Sequence, residues 1–325
     1  MRIGLIGLGF MGGAHLSAIK SLGGVTLTAI SSRTQPTSDR LSQGNLPHLK
    51  ASALPLDANW YADWRQLVSD PDVDAVDVCL PTHLRKEVTL SAFEHGKHVL
   101  CEKPMALSFA DCEEMLKAAE RSGCVFMVAH VLRFVSSYRY AASFIASTLQ
   151  GSVTSCTMQR KTGYPKWGEW LGREEYSGGA ILDLLIHDID QALKLFGKPD
   201  TVCAMSDGAI DTMQGLLRYA DGFEVRLAGG WYEAGRAFSA GFQIRGQDAE
   251  LSLEAGKLRL IVSGEERLVD MCAEEEYTEQ MRYFSQCCRQ RIAPELCPPA
   301  ESAEAVRIAN LLRASRNDNG REFPC

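Results

Sequence analysis

No run of five or more basic residues occurs in this 325-residue chain, and its 34 Lys and Arg are outnumbered by 41 Asp and Glu, for a formal net charge of −7. A surface of that sign disfavours nucleic acid or an anionic membrane as the main partner. Long apolar runs are missing as well. The opening Met1-Arg2-Ile3-Gly4-Leu5-Ile6-Gly7-Leu8-Gly9 is apolar, but too short and glycine-rich for a signal peptide or a membrane span. The 11 cysteines are scattered, with no Cys-x-x-Cys pair, and are expected to be thiols in a reducing cytoplasm. Internal repeats and low-complexity linkers are absent too. One metal-like spacing occurs, His95-x-x-His98-x-x-Cys101, but Gly96-Lys97 reads as a turn between a helix end and a strand. Ligands split across that turn would not converge, so no metal is expected.

What is present is an ordinary globular composition, 46% hydrophobic and 23% charged, in a chain long enough for two domains. The two halves differ in periodicity. Short apolar runs at Arg2–Ile6, Val25–Ile30, Ala75–Leu80, His98–Cys101 and Val125–Ala129 read as strands. Helical stretches at Gly12–Leu22, Trp60–Ser69, Lys86–His95 and Ser108–Ser122 lie between them. That alternation predicts an α/β domain, a doubly wound parallel sheet over residues 1–127. Beyond it, 152–162, 200–207, 210–219, 223–232, 238–245, 249–254 and 257–263 read as strands joined by short turns. They predict a mostly antiparallel sheet in an α+β domain over 128–325, covered by helices near Asp183 and 274–290, with a last helix near 300–315.

Gly7-Leu8-Gly9-Phe10-Met11-Gly12 follows the first strand directly and opens the first helix. The first glycine permits the tight turn, the second lets a pyrophosphate approach the backbone, and the third lets helix and strand pack. The helix N-terminus adds unpaired N–H groups and partial positive charge, so a dinucleotide cofactor is expected. After the second strand, Ser31-Ser32-Arg33-Thr34 brings no acid to the ribose hydroxyls before Asp39. Hydroxyls and a guanidinium at Ser32 and Arg33 suit a 2′-phosphate, which favours NADP with NAD as the alternative.

Two further motifs carry chemistry. Val99-Leu100-Cys101-Glu102-Lys103-Pro104 delivers Lys103 to the carboxyl end of a parallel strand, where open sheets bind ligands. A desolvated lysine there can exchange protons near neutrality. In Gly178-Gly179-Ala180-Ile181-Leu182-Asp183-Leu184-Leu185-Ile186-His187-Asp188-Ile189-Asp190, a plain α-helix from Asp183 puts Asp183, His187 and Asp190 within roughly 60° of arc. Such a polar column on a leucine-rich helix requires partners or a wet cleft. The segment from Gln159 to Trp170 is polar and aromatic, and could close over a sugar ring, with Trp167 stacking and Gln159 or Lys161 bonding hydroxyls.

The glycine loop, Cys101-Glu102-Lys103-Pro104, Ala129-His130-Val131-Leu132-Arg133-Phe134 and Gly178-Gly179-x3-Asp183-x3-His187-x2-Asp190 occur in one order over nearly the whole length. Ser315 and Gly320 extend the match. In these motifs the chain resembles the glucose–fructose oxidoreductase, inositol dehydrogenase and rhizopine-catabolism (Gfo/Idh/MocA) family of nicotinamide-dependent oxidoreductases. The resemblance implies a Rossmann domain followed by a domain with a large open sheet, whose outer face mediates homodimers or homotetramers. It implies that Lys103, Asp183 and His187 are catalytic, with Asp190 near the substrate. Glu102 and Leu80-Pro81-Thr82-His83 would lie against the nicotinamide half. An acid often stands in the family where Ser32 is found here, and a histidine where Arg85 is found.

Hydride transfer between a nicotinamide and a secondary carbinol or ketone of a sugar, cyclitol or related polyol is therefore expected. His187 would be general base, Asp183 its orienting partner, and Lys103 the stabiliser of developing alkoxide charge. A glycoside-cleaving enzyme that retains its cofactor through transient oxidation and elimination is the alternative. A binding protein without turnover is disfavoured by the intact proton-transfer set.

Overall fold

In the computed structural model, residues 1–35, 57–147, 153–166, 168–208, 210–271 and 275–325 are described. The chain divides into two compact units. The first comprises Met1–Val131 with Glu275–Ala303, and the second Leu132–Glu274 with Glu304–Cys325. A single cut after residue 127 was the expectation; the first unit instead takes in a segment from near the C-terminus.

The first unit is built on six parallel strands: β1 (Arg2–Ile6), β2 (Thr26–Ser31), β3 (Asn59–Tyr61), β4 (Ala75–Val78), β5 (His98–Glu102) and β6 (Phe126–Ala129). Their order is β3-β2-β1-β4-β5-β6, with every pairing parallel. The chain runs outward on one side of β1 and resumes on the other at β4, so a crevice opens at the carboxyl ends of that pair. Helices α1 (Phe10–Ser21), α2 (Trp64–Ser69), α3 (Thr82–Glu94) and α4 (Phe109–Ser122) connect the strands. Their limits follow local chemistry. The Ser108 hydroxyl accepts the Asp111 N–H at 3.1 Å to start α4, and Gly123, at φ +65°, ends it. Helix α2 begins at Trp64 behind its Asp63 cap, whereas the sequence predicts a helix from Trp60. Trp60 and Tyr61 pair with β2 instead, an outcome suited to aromatic residues at a sheet edge.

The second unit holds a nine-stranded sheet. Its strands are β7 (Val153–Gly163), β8 (Thr201–Met205), β9 (Asp211–Arg218), β10 (Glu224–Tyr232), β11 (Ser239–Gly246), β12 (Ala249–Glu254), β13 (Lys257–Val262), β14 (Glu265–Val269) and β15 (Phe323–Pro324). The order is β14-β13-β12-β11-β7-β10-β9-β8-β15, antiparallel throughout except for β7 with β10. Helices α5 (Ser136–Ser147), the short α6 (Glu174–Ser177) and α7 (Ile186–Phe196) accompany it, and α7 packs on β7 and β10. Helix α5 and strand β14 are additions to the sequence reading. Gly229 and Gly230 in β10 are required by close approach: a Cβ on Gly229 would lie 1.9 Å from the Arg160 carbonyl oxygen.

Two helices complete the chain, α8 (Glu276–Gln290) and α9 (Pro299–Asn317). The sequence places the helix near 274–290 on the second sheet, but α8 packs against α1. Ser21 and Thr278 share a hydroxyl hydrogen bond at 3.1 Å, and Arg289 donates to the Gly24 carbonyl at 2.6 Å. Amphipathic spacing shows that α8 has a face to bury; it carries no information on which element covers that face.

Helix α7 is anchored by two buried ion pairs. Arg160 of β7 donates through Nε and Nη2 to Asp188 at 2.8 and 3.1 Å, and Nη2 also donates to the Tyr138 hydroxyl at 3.2 Å. Arg133 donates through Nε and Nη2 to Asp190 at 3.0 and 2.6 Å. Bidentate geometry offsets the desolvation that burying these charges costs, and removing one partner strands the other. Arg160→Met should therefore lower unfolding free energy in urea by about 3–5 kcal/mol, and Arg160→Met with Asp188→Leu should recover most of it. A double variant as unstable as the single one would count against this account of the pair.

Candidate active site

In the first unit the glycine loop leaves β1 at the crevice. Gly7 has φ +97°, and a Cβ there would lie 2.5 Å from the Cys79 carbonyl oxygen at the end of β4. A Cβ on Gly12 would lie 2.1 Å from the Gly7 carbonyl oxygen. Gly9 is different: exposed, with no atom within 4 Å of a Cβ position, it caps α1 without a side-chain hydrogen bond. The first and third glycines are thus held by protein packing, and the second fronts open space at a helix N-terminus with no acid in its first turn. Phe10 and Met11, both half-buried, begin the helix. This cradle fits a pyrophosphate.

At the end of β2, Ser32 is half-buried and Arg33 exposed. The Ser32 hydroxyl donates to the Thr34 carbonyl at 2.8 Å, and the Trp60 indole N–H donates to Ser32 at 3.3 Å. The turn is set by these bonds, leaving the Arg33 side chain toward solvent.

The opposite end of the crevice is formed by Leu80-Pro81-Thr82-His83, where Pro81 caps α3 and His83 is exposed. Thr82 is buried, and its hydroxyl has no hydrogen-bond partner among the described residues. Arg85, to which the sequence assigns no role, is buried and ties two segments together. Its Nε donates to the Leu80 carbonyl at 2.8 Å and its Nη1 to the Pro104 carbonyl at 2.6 Å. The Lys103–Pro104 peptide bond is cis. Lys103 is half-buried, and its N–H donates to Glu102 Oε2 at 3.0 Å.

Beneath this edge lies a charged cluster that sequence reasoning missed. His15 of α1 is 1% exposed, with Nδ1 at 3.0 and 2.9 Å from the Asp77 carboxylate oxygens and Nε2 at 3.0 Å from Glu102 Oε1. Burial alone would push the imidazole pKa down; Asp77 and the neighbouring Cys79 outweigh it and hold it well above the ordinary value. Burial pushes the Glu102 carboxyl up, but His15, Lys103 and Arg85 bring it below its usual range. His15, Asp77 and Cys79 also bring their donor atoms within 4.8 Å of one another. Ligands around a tetrahedral ion sit farther apart than the 2.9 Å imidazole–carboxylate contact, which is a hydrogen-bond distance. A buried aspartate inside the apolar run Ala75–Val78 was the available signal, since an interior carboxylate requires a partner.

The residues of the expected metal-like spacing bond elsewhere. The His95 Nδ1–H donates to the Ser91 carbonyl at 2.8 Å, while His98 Nδ1 accepts the Val125 N–H at 2.9 Å.

In the second unit, the helix bearing Asp183 and His187 opens with a π-turn, Ile181–Leu185, before α7. The wider i→i+5 turn replaces the plain α-helical column that the sequence predicts, and such insertions recur at functional sites. Its start is pinned: the Ala180 N–H donates to Asp211 Oδ2 at 2.7 Å, and Asp211 is ion-paired with Arg316. Gly178 and Gly179, at φ +76° and +69°, make the approach. From Ile181 to Asp190 every residue is buried except Asp183 and His187, which are half-buried. These two share the accessible edge of the helix, and the third expected member does not. Asp190 is 1% exposed and engaged by Arg133.

Gln159 and Lys161 flank Arg160 on β7. Because side chains alternate along a strand, they stand on the sheet face opposite to Arg160, hence opposite to α7 and His187. The structure does not bring them together with Asp183 and His187. Trp167 lies outside the described residues.

The comparisons agree with this architecture. A model of the oxidoreductase family with an NAD-binding Rossmann fold (GFO_IDH_MocA) matches residues 1–130, and one of the GFO/IDH/MocA C-terminal domain matches residues 138–258. The chain is 36% identical over 161 residues to 2,7-anhydro-N-acetylneuraminate hydratase of Mediterraneibacter gnavus, a match spanning 48% of this chain but only 42% of that relative. It is 28% identical over 236 residues to scyllo-inositol 2-dehydrogenase (NADP(+)) of Bacillus subtilis, covering 70% of this chain and 69% of the relative. Levoglucosan dehydrogenase in complex with NADH superposes with a TM-score of 0.84 over 100% of this chain and 98% of the other, at 20% identity. With both halves matched in their expected order, the chain belongs to the Gfo/Idh/MocA oxidoreductase family.

Proposed function

We propose that this protein is an NAD(P)-dependent oxidoreductase acting on a secondary carbinol or ketone of a sugar, cyclitol or related polyol. The observation that carries this reading is that the first unit holds a dinucleotide cradle, while in the second Asp183 and His187 are the half-buried polar side chains of the otherwise buried run 181–190. A bound nicotinamide would supply the hydride acceptor or donor. Gly7, Gly9, Phe10, Met11 and Gly12 would hold its pyrophosphate, and Leu80, Pro81, Thr82, His83 and Glu102 would line its nicotinamide half. His187 serves as general base toward the carbinol proton in oxidation and returns it in reduction. Asp183 orients that imidazole, and the Lys103 ammonium stabilises developing alkoxide charge. Gln159, Lys161, Trp167 and Asp190 remain the substrate-side candidates; for Asp190, the Arg133 pair makes shaping of the helix the role its position supports.

NADP is the preferred cofactor in this reading. Arg33 is exposed at the end of β2, and no acid occurs between Ser31 and Gln35. A homodimer or homotetramer is the assembly that the family resemblance supports, and a reducing cytoplasm the location that the free cysteines support.

A second reading is favoured by one observation, the 36% identity to a protein named as a hydratase. Adding or removing water leaves no net redox change, so an enzyme of that kind would retain its cofactor through transient oxidation and elimination. Stoichiometry decides between the two: cofactor reduced in proportion to product supports the first reading, and product without net reduction supports the second.

A panel of cyclitols, aldoses and ketoses assayed with NAD and NADP in parallel tests the proposal. Lys103→Met and His187→Asn should each lower turnover on the best substrate by about 10² or more, within the range for acid–base groups. Near wild-type turnover in both would remove them from the chemistry. Gly12→Ala, whose Cβ would meet the Gly7 carbonyl oxygen, should weaken dinucleotide binding at least about tenfold in a fluorescence titration, equivalent to ~1.4 kcal/mol. Arg33→Ala should weaken NADPH binding about tenfold or more, the loss expected of a charge-assisted hydrogen bond, while sparing NADH. Equal losses for both cofactors would refute the 2′-phosphate role.

A further inference from the structure

His15 touches two carboxylates at once, and that geometry fixes its protonation. A neutral imidazole has one N–H and one lone pair. Nδ1 is hydrogen-bonded to Asp77 Oδ2 at 2.9 Å, and Nε2 stands 3.0 Å from Glu102 Oε1 in an ion-pair contact that lacks hydrogen-bond alignment. A neutral ring offers the second carboxylate no attraction, whereas an imidazolium places positive charge beside both. Asp77 is 0% and Glu102 2% exposed, so water cannot substitute for either. The other groups facing the ring are the Cys79 thiol, with Sγ 3.4 Å from Nδ1, and the Tyr277 ring of α8, 6.0 Å away between centroids. Lys103 and Arg85 act on the Glu102 side.

Glu102 is bonded in two directions. Oε1 meets His15, and Oε2 accepts the N–H of Lys103 at 3.0 Å. Arg85 holds the following residue through the Pro104 carbonyl. The segment that carries Lys103 is therefore held by backbone bonds to two buried charged side chains, one of them fixed by His15.

We infer that His15 is a positioning residue: an imidazolium shared by Asp77 and Glu102, it fixes the Glu102 carboxylate and, through the Lys103 N–H, the point from which the Lys103 side chain departs. This rests on the reading of Lys103 as a proton-transfer group. It also explains a histidine one turn into a helix that opens a phosphate cradle, where a positive charge otherwise has no apolar reason to be buried.

The first test needs no activity. In the wild-type protein with labelled histidine, the His15 ring signals, assigned by their loss in His15→Gln, should remain those of an imidazolium well above the pH at which an unperturbed histidine loses its proton. A ring that titrates near 6.5, or appears as a neutral tautomer, overturns the inference. Linkage gives a second readout. A raised imidazole pKa stabilises the fold fully below the unfolded value near 6.5, and that stabilisation falls as pH rises toward the folded value. The melting-temperature advantage of wild type over His15→Gln should shrink from pH 6 to pH 9; an advantage that stays flat contradicts the charged ring.

The positioning role itself is read by a double-mutant cycle. His15→Gln and Glu102→Gln should each lower kcat/KM by about 10- to 100-fold, the scale for a misplaced catalytic group, and shift its pH profile. The double variant should be no worse than the poorer single one. Additive losses with an unmoved pH profile would make His15 a structural residue only. If no polyol is turned over yet the ring is an imidazolium, the functional reading fails and the buried arrangement stands; turnover with a neutral ring rejects the His15 role alone.

Discussion

Charge withdrawn from water must be met by opposite charge or by donated hydrogen bonds, and both units of this protein are organised around that constraint. In the first unit, His15 sits between Asp77 and Glu102, while the buried Lys97 ammonium donates to the carbonyls of Asp70 and Val73, both at 2.7 Å. Arg85 does the same for Leu80 and Pro104. In the second, Arg160 and Arg133 take Asp188 and Asp190. The His15 and Arg85 groups hold the segment next to Lys103 in one unit, the Arg160 and Arg133 pairs hold the helix of His187 in the other, and Lys97 secures the amino-terminal side of the first sheet. An apolar core fills volume without directing any particular carbonyl. Charged hydrogen bonds direct specific atoms, and that is what a proton-transfer group requires of its surroundings.

The π-turn at Ile181–Leu185 belongs to the same logic. A regular helix through this segment would set one fixed phase between Asp183 and everything that follows it. The wider turn alters the phase of Asp183 relative to α7, within which Asp188 and Asp190 face Arg160 and Arg133, and leaves Asp183 half-buried as His187 is. Asp211 receives the Ala180 N–H at the start of the turn, supplying a side-chain partner where the helical pattern begins. Four polar residues within eight positions are thereby sorted into two interior anchors and two accessible groups.

How much of this was legible in the sequence depended on the range of the determining interaction. The glycine loop could be read because its turn is local and Gly12 answers to the Gly7 carbonyl five residues back, although the crowding of Gly7 by Cys79 at the end of β4 could not be. Capping of α4 by Ser108 and Gly123 was legible for the same reason. Partners distant in sequence were not. Asp190 was read as facing a ligand because its mate, Arg133, lies 57 positions away, and Asp188 was passed over for want of Arg160. Gln159 and Lys161 were chosen for chemical type, whereas strand parity decides which face they occupy, and a single buried arginine between them sets that parity. The placement of α8 on α1 was hidden likewise, since its apolar stripe fits any apolar surface.

One consequence concerns where selectivity resides. Relatives whose names describe a hydratase and an inositol dehydrogenase share this chain's family, although identities of 36% and 28% leave most positions different. The cradle and polar edge proposed for this chain would be compatible with either kind of overall reaction, since both can draw on proton transfer by a positioned side chain. What distinguishes them must lie in groups that bind the rest of the substrate or retain the cofactor, and those groups need not resemble one another between relatives. Here the residues that deviate from the pattern the family resemblance implies, Ser32 and Arg85, stand after β2 and in α3 of the first unit, apart from the proposed proton-transfer set. Arg85 is committed to two carbonyls and shapes the crevice through them.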